Sequence, residues 1–291
     1  MRFTLHALMT LAVTVQASAE GPKLSLPKFL RAKPASATTI DTKPSIDERL
    51  LFQPTRFPKG DWDHIPAKVS EVTFSSEDET PLHGLYTQAD KPVATILFCH
   101  GNGGNVSYYG TWLAEMRVRQ RVSILIFDYR GYGKSGGRPT VEGVLADAGA
   151  AREKLAELSG VSTDEIVIWG HSMGGAVAVQ LAAIEKPRGL ILESTFSSFR
   201  EVAHHHQPAL SWIVPKARLN SEDTISTVRC PVLQGHGTAD RVVPYELGER
   251  LYAAVPGPKK FVKFEGLDHS DIAPVEFGHE IKAFLQSLPA P

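Results

Sequence analysis

Ser172 stands between glycines in Gly170-His171-Ser172-Met173-Gly174. The apolar run Ile166–Trp169 precedes it, and the helical pattern Ala176–Ala182 follows. A serine at such a junction occupies a sharp turn between strand and helix, with its hydroxyl lifted clear of the sheet. The flanking glycines let the two elements approach closely while the serine holds a strained backbone. A hydroxyl is a poor nucleophile until a base takes its proton. That base is usually a histidine, oriented by a carboxylate that offsets the imidazolium charge. Both are expected after Ser172, each at a strand C-terminus. Asp240 lies in Gly235-His236-Gly237-Thr238-Ala239-Asp240, and His269 in Gly266-Leu267-Asp268-His269-Ser270-Asp271. Glu193 also ends a strand and is the rival acid. Asp268 and Asp271 flank the histidine, but chain neighbours rarely aim at the same ring nitrogen.

Nucleophilic attack on a carbonyl also needs donors for the developing oxyanion. The N–H of Met173 is one expected donor. The glycine-rich turn Cys99-His100-Gly101-Asn102-Gly103-Gly104-Asn105 supplies the other, assigned to the N–H of Asn102. This turn lacks the spacing and lysine of a phosphate-binding loop. His100 and His236 each precede a glycine, His171 follows one, and all three are expected to brace loops. The flexible turn Tyr129–Ser135 is expected to shape a pocket rim.

The elements that must position these groups are legible as periodicity. Val69–Phe74 and Leu82–Tyr86 predict antiparallel strands joined by a polar turn. Ala94–Cys99, Val122–Phe127, Ile166–Trp169, Gly189–Leu192 and Pro231–Gln234 are apolar without alternation, as in strands covered on both faces. Phe261–Phe264 predicts a more exposed last strand. Tyr109, Trp112, Leu113 and Met116 fall at helical spacing, as do Val141, Val144, Leu145 and Ala148, and Phe277, Ile281, Phe284 and Leu288. The expected architecture is α/β: a mostly parallel, doubly wound sheet with an antiparallel N-terminal edge. The long connection from Ser194 to Arg229 is expected to form a small cap over the strand C-termini. Its Ala209–Pro215 segment is apolar, and Trp212 or Ile213 is expected either to line a pocket or to pack as core. Its triplet His204-His205-His206 reads as a solvated helix face.

The chain has 291 residues and a formal net charge of −1. That balance points away from nucleic acid and anionic surfaces as partners. Arg2, the apolar run Leu5–Val15 and Ala17-Ser18-Ala19 predict a secretory signal over residues 1–19, with a mature start at Glu20. The apolar run is too short for a bilayer span, so no stable membrane anchor is expected, and the protein is placed in the periplasm or outside the cell. Residues 20–60 are proline-rich and predict an extended linker and arm, ordered mainly near Leu50-Leu51-Phe52. The main domain is then 61–291, with the cap at about 194–229. Cys99 and Cys230 sit at opposite strand ends and are expected to be free, buried thiols.

Together, Asp128–Gly133, Gly170–Gly175, His236–Asp240 and Gly266–Asp271 resemble the α/β-hydrolase superfamily, over about Leu50 to Leu288. Within it they are similar to the serine-aminopeptidase-like hydrolases, most of all the branch of Bem46-like proteins and animal depalmitoylating hydrolases. His100-Gly101-Asn102 fits that branch too. The resemblance implies an α/β-hydrolase fold, with Ser172 as nucleophile, Asp240 as acid and His269 as base. It also implies ester, thioester or amide hydrolysis without a metal or organic cofactor. The chain departs from the depalmitoylating members in lacking their N-terminal cysteine cluster.

The expected function is an exported serine hydrolase cleaving small-molecule or lipid-like acyl esters or thioesters through an acyl-enzyme. One alternative is an exported serine peptidase with the same triad, which would need an acidic patch for a substrate amino terminus. The other is a non-catalytic binding protein on the same scaffold.

Overall fold

The computed structural model describes residues 43–271 and 274–289. The signal and mature-start readings at residues 1–20 lie outside these. The apolar runs form one eight-stranded sheet in the order β1-β2-β4-β3-β5-β6-β7-β8. β1 (Ser70–Ser75) and β2 (Pro81–Thr87) pair antiparallel, and β2 pairs antiparallel with β4 (Val122–Asp128). The remaining pairings are parallel, through β3 (Ala94–Cys99), β5 (Val167–His171), β6 (Gly189–Glu193), β7 (Val232–Gly237) and β8 (Lys259–Phe264). β3 and β4 are buried along their whole length, which is why their sequences show no polar alternation.

Helices cover both faces. α3 (Val141–Ser159), α4 (Met173–Ile184), α6 (Ser221–Ile225) and α7 (Tyr245–Ala254) contribute to one apolar core. α2 (Gly110–Arg119) and α8 (Pro274–Ser287) build the other. Leu125 and Phe127 of β4 face the first core, while Ile124 and Ile126 face the second.

The strand order reverses at β3, which has β4 on one side and β5 on the other. Crevices for ligands open beyond the strand C-termini at such a switch point. The Cys99–Asn105 turn leaves β3 there and Ser172 leaves β5 beside it, with Cys99 paired to Gly170. Cys99 and Cys230 are free and buried.

The structure differs from expectation in the proline-rich stretch, which holds the short helix α1 (Ile46–Leu51). The Ser45 N–H donates to Glu48 Oε2 at 2.8 Å, capping its first turn. Tertiary contacts then hold it: Leu51 is buried, and Arg218 pairs with Asp47 at 2.9 Å and with Glu48 at 3.2 Å. The connection after β6 carries α5 (Phe199–His206), a 3₁₀ turn over Pro208–Ile213, and α6. Trp212 takes neither expected role. It is 71% exposed, its indole N–H donating to Ala209 O at 3.0 Å. Among the described residues, no helix is long and apolar enough to cross a membrane.

Candidate active site

Ser172 caps α4 with φ 54° and ψ −123°, a conformation a side-chain-bearing residue rarely holds. Its neighbours over-determine it. The Ser172 N–H donates to Glu193 O at 2.9 Å, and Thr195 Oγ1 donates to Ser172 O at 2.7 Å. The turn closes because glycines flank it: a Cβ on Gly170 would sit 2.3 Å from Gly174 O, and one on Gly174 only 2.0 Å from Cys99 O. Gly174→Ala is therefore expected to push β3 and α4 apart and destabilise the protein by about 3 kcal/mol. A thermal melt measures this as a lowered midpoint.

His269 is brought against Ser172 from the loop after β8. Its Nε2 lies 2.9 Å from Ser172 Oγ, and its Nδ1 lies 2.8 Å from Asp240 Oδ2. Asp240 follows β7 and is buried. Its Oδ1 accepts the N–H groups of Val242 at 2.9 Å and Val243 at 2.7 Å. Burial alone would raise its carboxyl, but hydrogen bonds from His236 and His269 and from Val243 N–H hold it well below the usual carboxylate range.

The rival carboxylates go elsewhere. Asp268 Oδ1 accepts the Arg241 N–H at 2.9 Å, and its carboxylate pairs with the Arg241 guanidinium, folding the two loops together. Asp271 Oδ2 accepts the Asp268 N–H at 3.2 Å. Glu193 accepts the Trp169 indole N–H at 3.2 Å.

The three bracing histidines differ in how they act. His236 lies inside β7 rather than in a turn, because β7 runs on to Gly237. It is buried, with Nε2 3.0 Å from Val243 O and 3.2 Å from Asp240 Oδ2. His100 Nδ1 meets Gly101 O at 2.7 Å, and burial lowers its pKa. The His171 ring lies 5.2 Å from that of His269. Burial and the neighbouring His269 push its pKa down to about 4.

Met173 opens α4 directly after Ser172, so its N–H is one of the unpaired donors of a helix N-terminus. Among the described residues neither Met173 N–H nor Asn102 N–H meets a protein acceptor. The turn that carries Asn102 is held rigidly. Its side-chain amide donates to Leu51 O and accepts the Gln53 N–H at 3.0 Å. The Tyr132 hydroxyl reaches Asn102 Oδ1 at 2.9 Å and O at 3.1 Å, and the Tyr129 hydroxyl donates to His100 O at 2.9 Å. The Tyr129–Ser135 turn thus braces the glycine turn instead of forming the rim. Arg130 anchors it through Asp147 at 2.8 Å and Asp78 at 2.9 Å.

Ser172, Met173 and Asn102 all border one cleft of about 570 Å³. Phe196, Phe199, Val202, Leu210 and Val214 give it an apolar wall, so the connection after β6 covers Ser172 through residues other than Trp212. Leu50, Leu51 and Gln53 line it from the N-terminal side. All three histidines of the triplet are exposed; His206 also joins the wall, its Nε2 2.8 Å from Val242 O, and His204 Nδ1 lies 3.2 Å from Ser211 Oγ. Among the described residues no group of His, Cys, Asp and Glu could hold a metal ion.

Sequence reasoning missed the grip of His236 on Asp240 and the role of residues 50–53. The first had a local signal, a histidine four residues before the acid at the end of a strand. The second had none, since Gln53 and Asn102 meet only through tertiary folding.

The family model described as serine aminopeptidase, S33, matches residues 90–229. An uncharacterized protein of Mycobacterium tuberculosis is 37% identical over 238 residues, covering 78% of this chain and 82% of its own length. The bem46 protein of Schizosaccharomyces pombe is 30% identical over 240 residues, covering 77% of this chain and 80% of itself. Among solved structures, an esterase of Pyrococcus furiosus superposes with a TM-score of 0.65 at 19% identity, covering 82% of this chain and 99% of that one. This last likeness is one of fold. With identity above 30% across most of both chains, a serine on a strained strand–helix turn, and a mostly parallel sheet with an antiparallel edge, the chain is a hydrolase of the serine aminopeptidase S33 family within the α/β-hydrolases, with bem46-like proteins among its relatives.

Proposed function

We propose that the protein cleaves acyl esters or thioesters, with Ser172 as nucleophile, His269 as base and Asp240 as acid. The observation that carries this reading is the hydrogen-bonded line from Ser172 Oγ through His269 to Asp240, opening into an apolar cleft. His269 Nε2 takes the proton from Ser172 Oγ as the oxygen attacks the acyl carbon. The carbonyl oxygen becomes an oxyanion facing the N–H groups of Met173 and Asn102. The imidazolium formed is stabilised by Asp240, which stays ionised because His236, Val242 and Val243 also bind it. The C–O or C–S bond then breaks, and His269 returns the proton to the departing alcohol or thiol. Water, deprotonated by His269, attacks the acyl-enzyme, and the carboxylic acid leaves with Ser172 restored.

The cleft favours an acyl chain over a peptide amino terminus. Its lining residues include no Asp or Glu, so an ammonium group would find no counter-charge there. Hydrolysis of a chain-length series of model esters beside aminoacyl amides tests the reading. Ester turnover that rises with chain length is expected, and turnover of amides alone would assign a peptidase instead. Each methylene buried in the cleft should change kcat/KM by about fourfold, from about 0.8 kcal/mol. Leu210→Ala should flatten that dependence, and Trp212→Ala should leave it unchanged.

Export remains part of the proposal and rests on residues 1–19. Mass spectrometry of the protein from its native host should find an N-terminus at Glu20. Retention of Met1 would place the protein inside the cell.

A further inference from the structure

A second cavity, of about 220 Å³, lies on the opposite face of the sheet, under α2 and α8. It shares no lining residue with the cleft at Ser172. Its wall is aromatic: Phe98, Tyr109, Trp112, Trp169 and Phe277. The rings meet edge-on or tilted, as in Phe98–Trp169 at 5.2 Å and 77° and Trp112–Trp169 at 5.4 Å and 67°. In such pairs the edge of one ring meets the face of another; Trp169 is buried among them and Trp112 is half-buried.

Glu193 enters this aromatic wall from the end of β6. Its Oε2 accepts the Trp169 indole N–H at 3.2 Å. Among the described residues no lysine, arginine or histidine pairs with it. Glu193 is half-buried and lines the cavity, and among the described residues its Oε1 has no protein hydrogen-bond partner. A carboxylate in an apolar wall is costly without a partner. Burial accordingly pushes the Glu193 carboxyl up to about 7, against the Trp169 hydrogen bond and the nearby His269.

We infer that this cavity binds a small alkylammonium cation, with Glu193 as counter-charge and the Trp112 and Trp169 rings as walls. Aromatic rings attract organic cations through their quadrupoles, and most strongly when water is excluded. A metal ion would need several oxygen or nitrogen ligands, which this wall does not offer. An anion would meet the carboxylate, and a neutral apolar guest would leave it unpaired. The other titratable groups facing Glu193 are Tyr109, His171 and His269. Burial pushes Tyr109 up to about 12 and His171 down to about 4, so both are neutral near pH 7. The α2 and α8 residues on the wall carry no charge.

The test needs no turnover and runs equally in Ser172→Ala protein, so it is independent of the hydrolytic reading. Tryptophan fluorescence is titrated with choline chloride against matched sodium chloride, and with 3,3-dimethyl-1-butanol, the neutral isostere. Choline is expected to give a saturable change near pH 8, with the isostere at least about tenfold weaker. Choline affinity should fall by about tenfold from pH 8 to pH 6 as the carboxyl protonates. Glu193→Gln should weaken choline binding and remove that pH dependence. Equal binding of choline and its isostere would show a plain apolar cavity and overturn the inference. So would the lack of a saturable choline signal. A pH dependence that survives Glu193→Gln would come from another group and also overturn it.

Discussion

Ser172→Ala is expected to abolish labelling by a fluorophosphonate and to lower ester turnover by roughly four to six orders of magnitude. The nucleophilic oxygen is lost, and nothing else along β5 or α4 changes. The strained turn stays in place because its contacts are backbone ones: Ser172 N–H to Glu193 O, and Ser172 O to Thr195 and the Gly175 N–H. A far-ultraviolet spectrum and melting temperature close to the parent protein's should accompany the loss. What activity remains reflects binding and the N–H groups of Met173 and Asn102. Labelling that persisted on another serine would move the nucleophile and refute the mechanism.

Asp240→Asn is expected to cost about four orders of magnitude in kcat. An amide at this position can still accept hydrogen bonds from Val242 and Val243 through its oxygen. It cannot stabilise the imidazolium, and its NH₂ facing His269 Nδ1 would favour the wrong tautomer. His236 is placed to add to the effect, since its Nε2 also contacts Asp240 Oδ2 at 3.2 Å. The matched control is Glu193→Gln, which should cost less than about tenfold, because Glu193 bonds Trp169 and makes no hydrogen bond to His269. Comparing kcat for the two variants on one ester decides between the acids. A larger loss in Glu193→Gln would place the acid at the end of β6.

The covered strands and the groups that meet at the candidate site were legible in the chain for local reasons. Strands buried on both faces must be apolar throughout, so β3 lies at its predicted bounds, Ala94–Cys99. A tight strand–helix turn admits only glycine two residues before and after the serine, so Gly170 and Gly174 mark Ser172 unaided. Asp240 and His269 each follow a strand that could be recognised by itself.

Other features depend on residues far apart in sequence. Leu51 and Gln53 fasten the Asn102 side chain, and Arg218 ties α1 to the connection after β6. No periodicity encodes such contacts, and proline content favoured an extended arm where capping and packing yield a helix. Trp212 is the sharper case. An apolar stretch shows that some side chains there must be covered, but which ones depends on how the 3₁₀ turn is rotated. That rotation puts Leu210 and Val214 into the cleft and leaves Trp212 in solvent. The carboxylate that meets His269 depends on the fold in the same way. Composition offered Asp240, Glu193, Asp268 and Asp271, all within loops or strand ends near His269. The sequence by itself determined the chemistry available and the edge of the sheet on which it gathers. Only the tertiary structure decided which carboxylate meets the imidazole, because the direction of a side chain depends on backbone torsions and packing that no single stretch of sequence contains.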